Sequence, residues 1–157
     1  MGTLHPALGR EGHMLSLVFA GLRASGYLTF AQASYYTPRS NSRFIDLAVW
    51  LPDASRWLYL ELKPCGAQGG FGNVLLDARK LKDDNPRDPY DQLRGVLAYG
   101  FRTESTHQDG FKNKYVDLSK ELKLSGFEEI QIQRRELEGN EYHYVQTGLW
   151  CLGLAAQ

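Results

Sequence analysis

Two runs of alternating apolar side chains, residues 43–51 and 56–63, flank a short Pro-Asp-Ala-Ser segment at 52–55. Alternation with a period of two, rich in β-branched and aromatic residues, is typical of β-strands, and a Pro/Asp/Ser cluster is typical of a turn. The pattern therefore predicts an antiparallel hairpin with a four-residue loop.

Pairing Leu51 with Arg56 across this loop sorts the side chains of the hairpin into two faces. One face is wholly apolar and is expected to lie against a core; its pairs are Ile45 with Leu62, Leu47 with Leu60, and Val49 with Leu58. A slip of one residue would turn these side chains to the other face, which supports this register. The pairs expected on the second face are Trp50 with Trp57, Ala48 with Tyr59, Asp46 with Glu61, and Phe44 with Lys63.

The predicted pair of Asp46 and Glu61 places two carboxylates on facing strands, with Cβ atoms about 5 Å apart. Like charges at that distance destabilise a sheet, so a compensating group is expected. Mg²⁺ is a suitable one, because it prefers carboxylate oxygens and keeps positions for water and phosphate. Lys63 projects from the same face as Glu61, where its ammonium would orient an attacking water or offset charge on phosphorus. The alternative is that this is the solvated face of an ordinary hairpin.

The arrangement of Asp46, fourteen intervening residues and then Glu61-Leu62-Lys63 on a second hydrophobic strand resembles the PD-(D/E)XK nuclease superfamily. That resemblance implies the restriction-endonuclease-like fold, an α/β mixed sheet with an αβββαβ core. It further implies that Asp46 and Glu61 bind Mg²⁺, that the Leu62 carbonyl is an additional ligand and that Lys63 is the catalytic lysine. Ile45 stands where members of the superfamily often have proline.

The resemblance also points to a glutamate on the first helix and a glutamine on the helix after the Glu-x-Lys strand. Glu11 matches the glutamate, because it extends the apolar stripe of a helix predicted over residues 6–25 and would add a metal ligand. An acid near a helix N-terminus is also favoured by the helix dipole, and that alternative stays open. Gln92 is the candidate glutamine, on a helix predicted over residues 90–101.

The remaining pattern predicts further elements on both sides of the hairpin. Lys80 lies near the end of a helix predicted over residues 73–84, where it either complements the helix dipole or contacts substrate phosphate. The other expected elements are a strand over 27–36, a helix over 116–125 ended by Gly126, and a C-terminal β-hairpin formed by 129–137 and 142–152. Asn73 is the expected cap of the helix that carries Lys80.

The 157-residue chain has a formal net charge of zero, with 18 basic and 18 acidic residues. Free-standing DNA-binding proteins are usually basic, because neutralisation of phosphates supplies most of their non-specific affinity. We therefore expect either a local concentration of positive charge or a contribution from bound metal, from a second copy in a homodimer, or from a larger protein complex.

Length and composition suit a single domain over residues 1–157, since 43% of the residues are hydrophobic. Cys65 and Cys151 lack the spacing of a disulfide framework or a zinc site, which favours a reducing, cytoplasmic location. The apolar run at 14–22 is too short to span a bilayer, so no membrane association is expected.

These observations predict a nuclease that hydrolyses phosphodiester bonds of DNA or RNA with Mg²⁺ as cofactor, or Mn²⁺ in its place, and with an activated water as nucleophile. Two alternatives remain. One is a catalytically silent nuclease-like module used for binding or assembly, which the zero net charge favours. The other is the nuclease subunit of a larger defence, repair or mobile-element complex.

Overall fold

The structure is a computed structural model that describes residues 11–35, 43–66, 70–83, 92–102, 108–136 and 144–152. The helices and strands in these ranges follow one another in the order αβββαβαββ. They are α1 (Glu11–Ala24), β1 (Thr29–Tyr35), β2 (Arg43–Leu51), β3 (Arg56–Pro64), α2 (Phe71–Asp83), β4 (Gln92–Arg102), α3 (Gln108–Leu124), β5 (Phe127–Glu136) and β6 (Tyr144–Leu152).

The six strands form one mixed sheet in the order β1-β2-β3-β4-β6-β5. Strands β3 and β4 are parallel, and every other neighbouring pair is antiparallel. Parallel neighbours need a long crossover connection, which here contains α2. The expected α/β mixed sheet is confirmed, and the β5–β6 pair confirms the expected C-terminal hairpin.

The central hairpin of β2 and β3 has the register that the sequence predicts. Leu51 lies opposite Arg56, and the pairing continues without a shift to Leu47 and Leu60. The loop contains a short 3-10 turn, Pro52–Ala54, followed by Ser55 in the left-handed region with φ of 50°. This conformation closes the loop without disturbing the strands on either side.

Alternation along the strands divides the core between the two faces of the sheet. Leu47, Leu60 and Tyr99 pack with Leu15 of α1 on one face. On the other face, the sheet residues pack with buried side chains from α2 and α3; those from the helices are Val74, Ala78, Leu81, Tyr115, Leu118 and Leu122. Because neighbouring strand residues point to opposite sides, the sheet lies between α1 and the α2/α3 layer.

Helix α2 is fixed at both of its ends. Gly70 precedes it with φ of +102°, and the amide of Val74 donates to the Gly70 carbonyl at 3.1 Å. At the other end, the guanidinium of Arg94 donates to the carbonyl of Leu81. A cation at a helix C-terminus is favoured by the helix dipole and by the unpaired carbonyls of the last turn.

The helix predicted over residues 90–101 is wrong, because this segment forms strand β4. Strand β4 lies inside the sheet and is buried on both faces, so it has the continuous apolar character that a buried helix also shows. Gly95 allows its close packing: a Cβ there would lie 2.9 Å from both Cys151 Sγ and Leu60 Cδ2. Tertiary contacts therefore decide between the two conformations.

Other boundaries differ by smaller amounts. Asn73 is the third residue of α2, so its expected role as the cap is wrong. The expected helix at 116–125 is longer, extending from Gln108 to Leu124, and Gly126 ends it with φ of +90° as predicted. In the described part of the chain, no helix is long and apolar enough to cross a membrane.

Candidate active site at the end of the central hairpin

The carboxylate of Asp46 contacts the backbone of β3. Its Oδ2 atom accepts a hydrogen bond from the Leu62 amide at 2.7 Å, just past the last regular pair, Leu47 with Leu60. A side-chain oxygen thus serves as the β2 acceptor for this N–H, where a regular ladder would use a carbonyl. The expected cross-strand pair of Asp46 with Glu61 is replaced by a carboxylate directed at the Glu61-Leu62 backbone.

The alternation of β2 is interrupted at Asp46. Leu47 packs on the α1 face, whereas Ile45 packs in the cluster on the α2/α3 face. Residues two positions apart on a strand normally share a face, but Ile45 and Leu47 do not. The expected packing of Ile45 with Leu62 is therefore wrong, because Leu62 packs with Leu47 on the α1 face. Opposite this point, Gln32 of β1 has φ of +49°, an uncommon value for a residue other than glycine. The irregularity is what turns Asp46 towards β3.

Glu61 and Lys63 follow Tyr59 at intervals of two along β3. Tyr59 belongs to the cluster under α2 and α3, so Glu61 and Lys63 lie on this face as well. Glu61 is only 7% exposed, which is rare for a carboxylate. The hairpin thus brings Asp46, Glu61 and Lys63 to one end of the β2–β3 pair, as the sequence predicts.

Asp77 of α2 lies in the candidate site, although the sequence pattern did not predict it. Its Oδ2 atom lies 3.2 Å from Lys63 Nζ, and its Oδ1 atom lies 3.5 Å from Lys80 Nζ. Asp77 is 8% exposed and shares the buried stripe of α2 with Val74 and Leu81. An aspartate on an otherwise apolar helical stripe is the signal by which it could have been found.

The structure places the other three predicted site residues differently: they are Lys80, Gln92 and Glu11. Lys80 is well exposed and contacts Asp77, so it lies at the rim of the site. Gln92 lies opposite Trp57, whereas Lys63 lies opposite Ala98, so Gln92 is about 20 Å away at the other end of β3. The structure therefore does not bring Gln92 together with Asp46, Glu61 and Lys63, and its contact with substrate stays a prediction. Glu11 is the first residue of α1, and its side chain lies outside the described part of the structure.

The end of β3 beyond Lys63 is held by two hydrogen bonds to Cys65. Its amide donates to the Tyr99 carbonyl at 2.6 Å, and the Tyr115 hydroxyl donates to its carbonyl at 2.9 Å. Burial raises the pKa of the Cys65 thiol to about 12. A thiol held neutral is a poor nucleophile, so Cys65 supports the site structurally.

The oxygen donors near Asp46 suit a hard divalent cation. In an extended strand, the N–H and C=O of one residue point to the same neighbouring strand, so the Leu62 carbonyl points towards β2 as its amide does. Asp46, Glu61 and this carbonyl are the oxygen donors that could hold Mg²⁺, which prefers one or two carboxylates plus water and phosphate. Among the described residues, no three His, Cys, Asp or Glu side chains form a group that could hold a metal ion.

The chain matches no known family model, no curated protein sequence and no solved structure.

Proposed function

We propose that this protein is a metal-dependent phosphodiesterase that cleaves nucleic acid at the end of the central hairpin. The observation that carries this proposal is the hydrogen bond from the Leu62 amide to Asp46 Oδ2. It holds one carboxylate against the strand segment that supplies the buried Glu61 and the ammonium of Lys63. Two acids and a lysine at one end of a hairpin are suited to hydrolysis of a phosphodiester.

Each residue has a distinct role in this proposal. Asp46, Glu61 and the Leu62 carbonyl would hold Mg²⁺, or Mn²⁺ in its place, which supplies a Lewis acid and lowers the pKa of water. Lys63 orients the attacking water or stabilises negative charge that develops on the phosphate. Asp77 fixes the direction of the Lys63 side chain, because its Oδ2 atom lies 3.2 Å from the ammonium and its helix is packed on the sheet. Such pre-positioning reduces the reorganisation needed at the moment of reaction.

The order of the elements also supports the proposal. The sequence of helix, three strands, helix and strand from α1 to β4 is the order that a restriction-endonuclease-like core requires. The Glu-x-Lys strand, β3, lies inside the sheet next to the strand that carries Asp46. We therefore propose that α1 to β4 form that core and that α3, β5 and β6 extend it.

Cleavage of a panel of labelled substrates tests the proposal. The panel contains single-stranded, duplex and branched DNA, and RNA, each incubated with Mg²⁺, Mn²⁺ or EDTA. We expect cleavage that EDTA abolishes and that the variants Glu61→Gln and Lys63→Met lose. Glu128→Gln is the matched control, since Glu128 is an exposed acid on β5 at the far edge of the sheet. Cleavage that persists in Glu61→Gln would refute the assignment.

A catalytically silent binding or assembly module is the second candidate, favoured by the zero net charge of the chain. Calorimetry with Mn²⁺ separates it from a nuclease that needs a partner chain. Metal binding that requires Asp46 and Glu61, without cleavage of the panel, favours a nuclease subunit of a larger complex. A protein that neither binds Mn²⁺ nor cleaves any substrate fits the silent module.

A further inference from the structure

Three aromatic rings form a cluster on one face of the sheet, which we call the aromatic ledge: Phe30, Trp50 and Trp57. The rings of Phe30 and Trp57 lie 6.0 Å apart at their centroids, and those of Trp50 and Trp57 lie 5.4 Å apart in an edge-on arrangement. Phe30 is 49% exposed, and both tryptophans are partly exposed. Leu28, which is 50% exposed, lies immediately before β1.

The ledge lies on the same face of the sheet as the candidate active site. Trp57, Tyr59, Glu61 and Lys63 alternate along β3, so they point to one side. Helix α2 packs on this side against β3 and β4, and α3 packs against β5 and β6. The β1–β2 end of the face is left partly open, as the exposure of Phe30 shows. From Trp57 to Glu61 is about 13 Å along the strand, a distance that a few nucleotides span.

The charge of the protein restricts what kind of nucleic acid it can hold. A chain with 18 basic and 18 acidic residues has no overall positive charge from which to obtain its affinity by counterion release. Stacking of bases on aromatic side chains provides affinity that does not depend on net charge and tolerates any sequence. Lys63, at the candidate active site, supplies a cation for the backbone at one end of this path.

We propose that the aromatic ledge binds unpaired bases of a single-stranded nucleic acid, whose backbone continues along the open β1–β2 side of this face towards Asp46 and the candidate active site. Bases in a duplex are already stacked on one another and do not offer their faces to the ledge. The substrate class is therefore a single strand, or the single-stranded part of a branched molecule. This inference rests on the proposed function, but it is tested by binding without cleavage.

The test measures the binding of labelled oligothymidylate and oligouridylate of about a dozen nucleotides, and of a matched duplex, by fluorescence anisotropy in EDTA. We expect single strands to bind more tightly than the duplex, with a shallow dependence on salt. Phe30→Ala should weaken single-strand binding about tenfold, the loss of one stacked base. Ile130→Ala is the matched control, because Ile130 is 48% exposed on β5 at the opposite edge of the sheet, and its binding should be unchanged.

Equal affinity for duplex and single strands, or unchanged binding by Phe30→Ala, would overturn the proposal. Concentration-dependent dimerisation that Phe30→Ala abolishes, seen by sedimentation, would also overturn it, since a second copy would then occupy the ledge. The failure of the proposed function looks different: single strands bind through Phe30, yet no substrate is cleaved with Mg²⁺ or Mn²⁺. Cleavage of all substrates with no effect of Phe30→Ala would support the proposed nuclease function and refute single-strand binding at the aromatic ledge.

Discussion

Lys63 Nζ lies 3.2 Å from Asp77 Oδ2, across the interface between β3 and α2. Both side chains are largely shielded from water, with exposed fractions of 21% and 11%. Charged groups in such a setting need partners, because only an ion pair or hydrogen bonds offset the free-energy cost of removing them from water. The contact joins the candidate catalytic lysine to α2, which lies outside the β2–β3 hairpin.

Asp77→Asn should lower the free energy of unfolding by about 1–3 kcal/mol, because a charged hydrogen-bond acceptor is lost. It should also reduce activity by misplacing Lys63. Urea denaturation measures the first effect, and Asp83→Asn, at the exposed end of the same helix, is the control. A double-mutant cycle with Lys63→Met measures the interaction energy between Asp77 and Lys63. A coupling energy near zero would show that the ion pair does not stabilise the protein.

Two substitutions of Asp46 separate its charge from its hydrogen bond. Asp46→Asn keeps an oxygen that can accept the Leu62 amide, so its stability should stay within about 0.5 kcal/mol of the parent. Asp46→Ala leaves that N–H without its acceptor and should lower the free energy of unfolding by about 1–3 kcal/mol. Both variants should lose activity. Equal stability of the two in chemical denaturation would show that the hydrogen bond contributes nothing.

The two buried thiols should make the protein less stable at alkaline pH. Burial raises the pKa of Cys65 to about 12 and that of Cys151 to about 11, from 9.0. Below pH 9.0 both states keep these protons; above it the unfolded chain loses them first, so their contribution to stability declines as pH rises towards the folded pKa values.

Each thiol should lower the free energy of unfolding by about 1.4 kcal/mol per pH unit in this interval. Denaturation curves at several alkaline pH values measure the slope. Cys151→Ala should reduce the slope by one thiol's share, and an unchanged slope would contradict the assignment.

Gly148 of β6 is expected to tolerate no side chain. A Cβ at this position would overlap the indole ring of Trp150, which is fully buried and whose Nε1 donates to Ser119 Oγ at 2.6 Å. Gly148→Ala should lower the free energy of unfolding by about 1–3 kcal/mol or more through overpacking. Gly21→Ala on α1, where a Cβ meets no atom within 4 Å, should instead stabilise by about 0.5–1 kcal/mol. Thermal denaturation of the two variants compares them directly, and a neutral Gly148→Ala would refute the clash.

The central hairpin could be predicted because its information is local. Alternation with period two is a property of the extended chain, and the turn at 52–55 fixed the register that pairs Leu51 with Arg56. The positions of Glu61 and Lys63 on one face followed from the same alternation. The helix assigned to β4 failed for the converse reason: an apolar run buried on both faces has no period that separates strand from helix.

The sequence by itself determined the strands of the hairpin, their register and the face that carries Glu61 and Lys63. Tertiary structure alone decided the direction of Asp46, through the irregularity opposite Gln32, and the contact of Asp77 with Lys63. Both depend on groups 14 or 16 positions apart in the chain, brought together by strand pairing and helix packing. Local periodicity carries no information about such contacts, because they form only when the separate elements bury their apolar faces against one another.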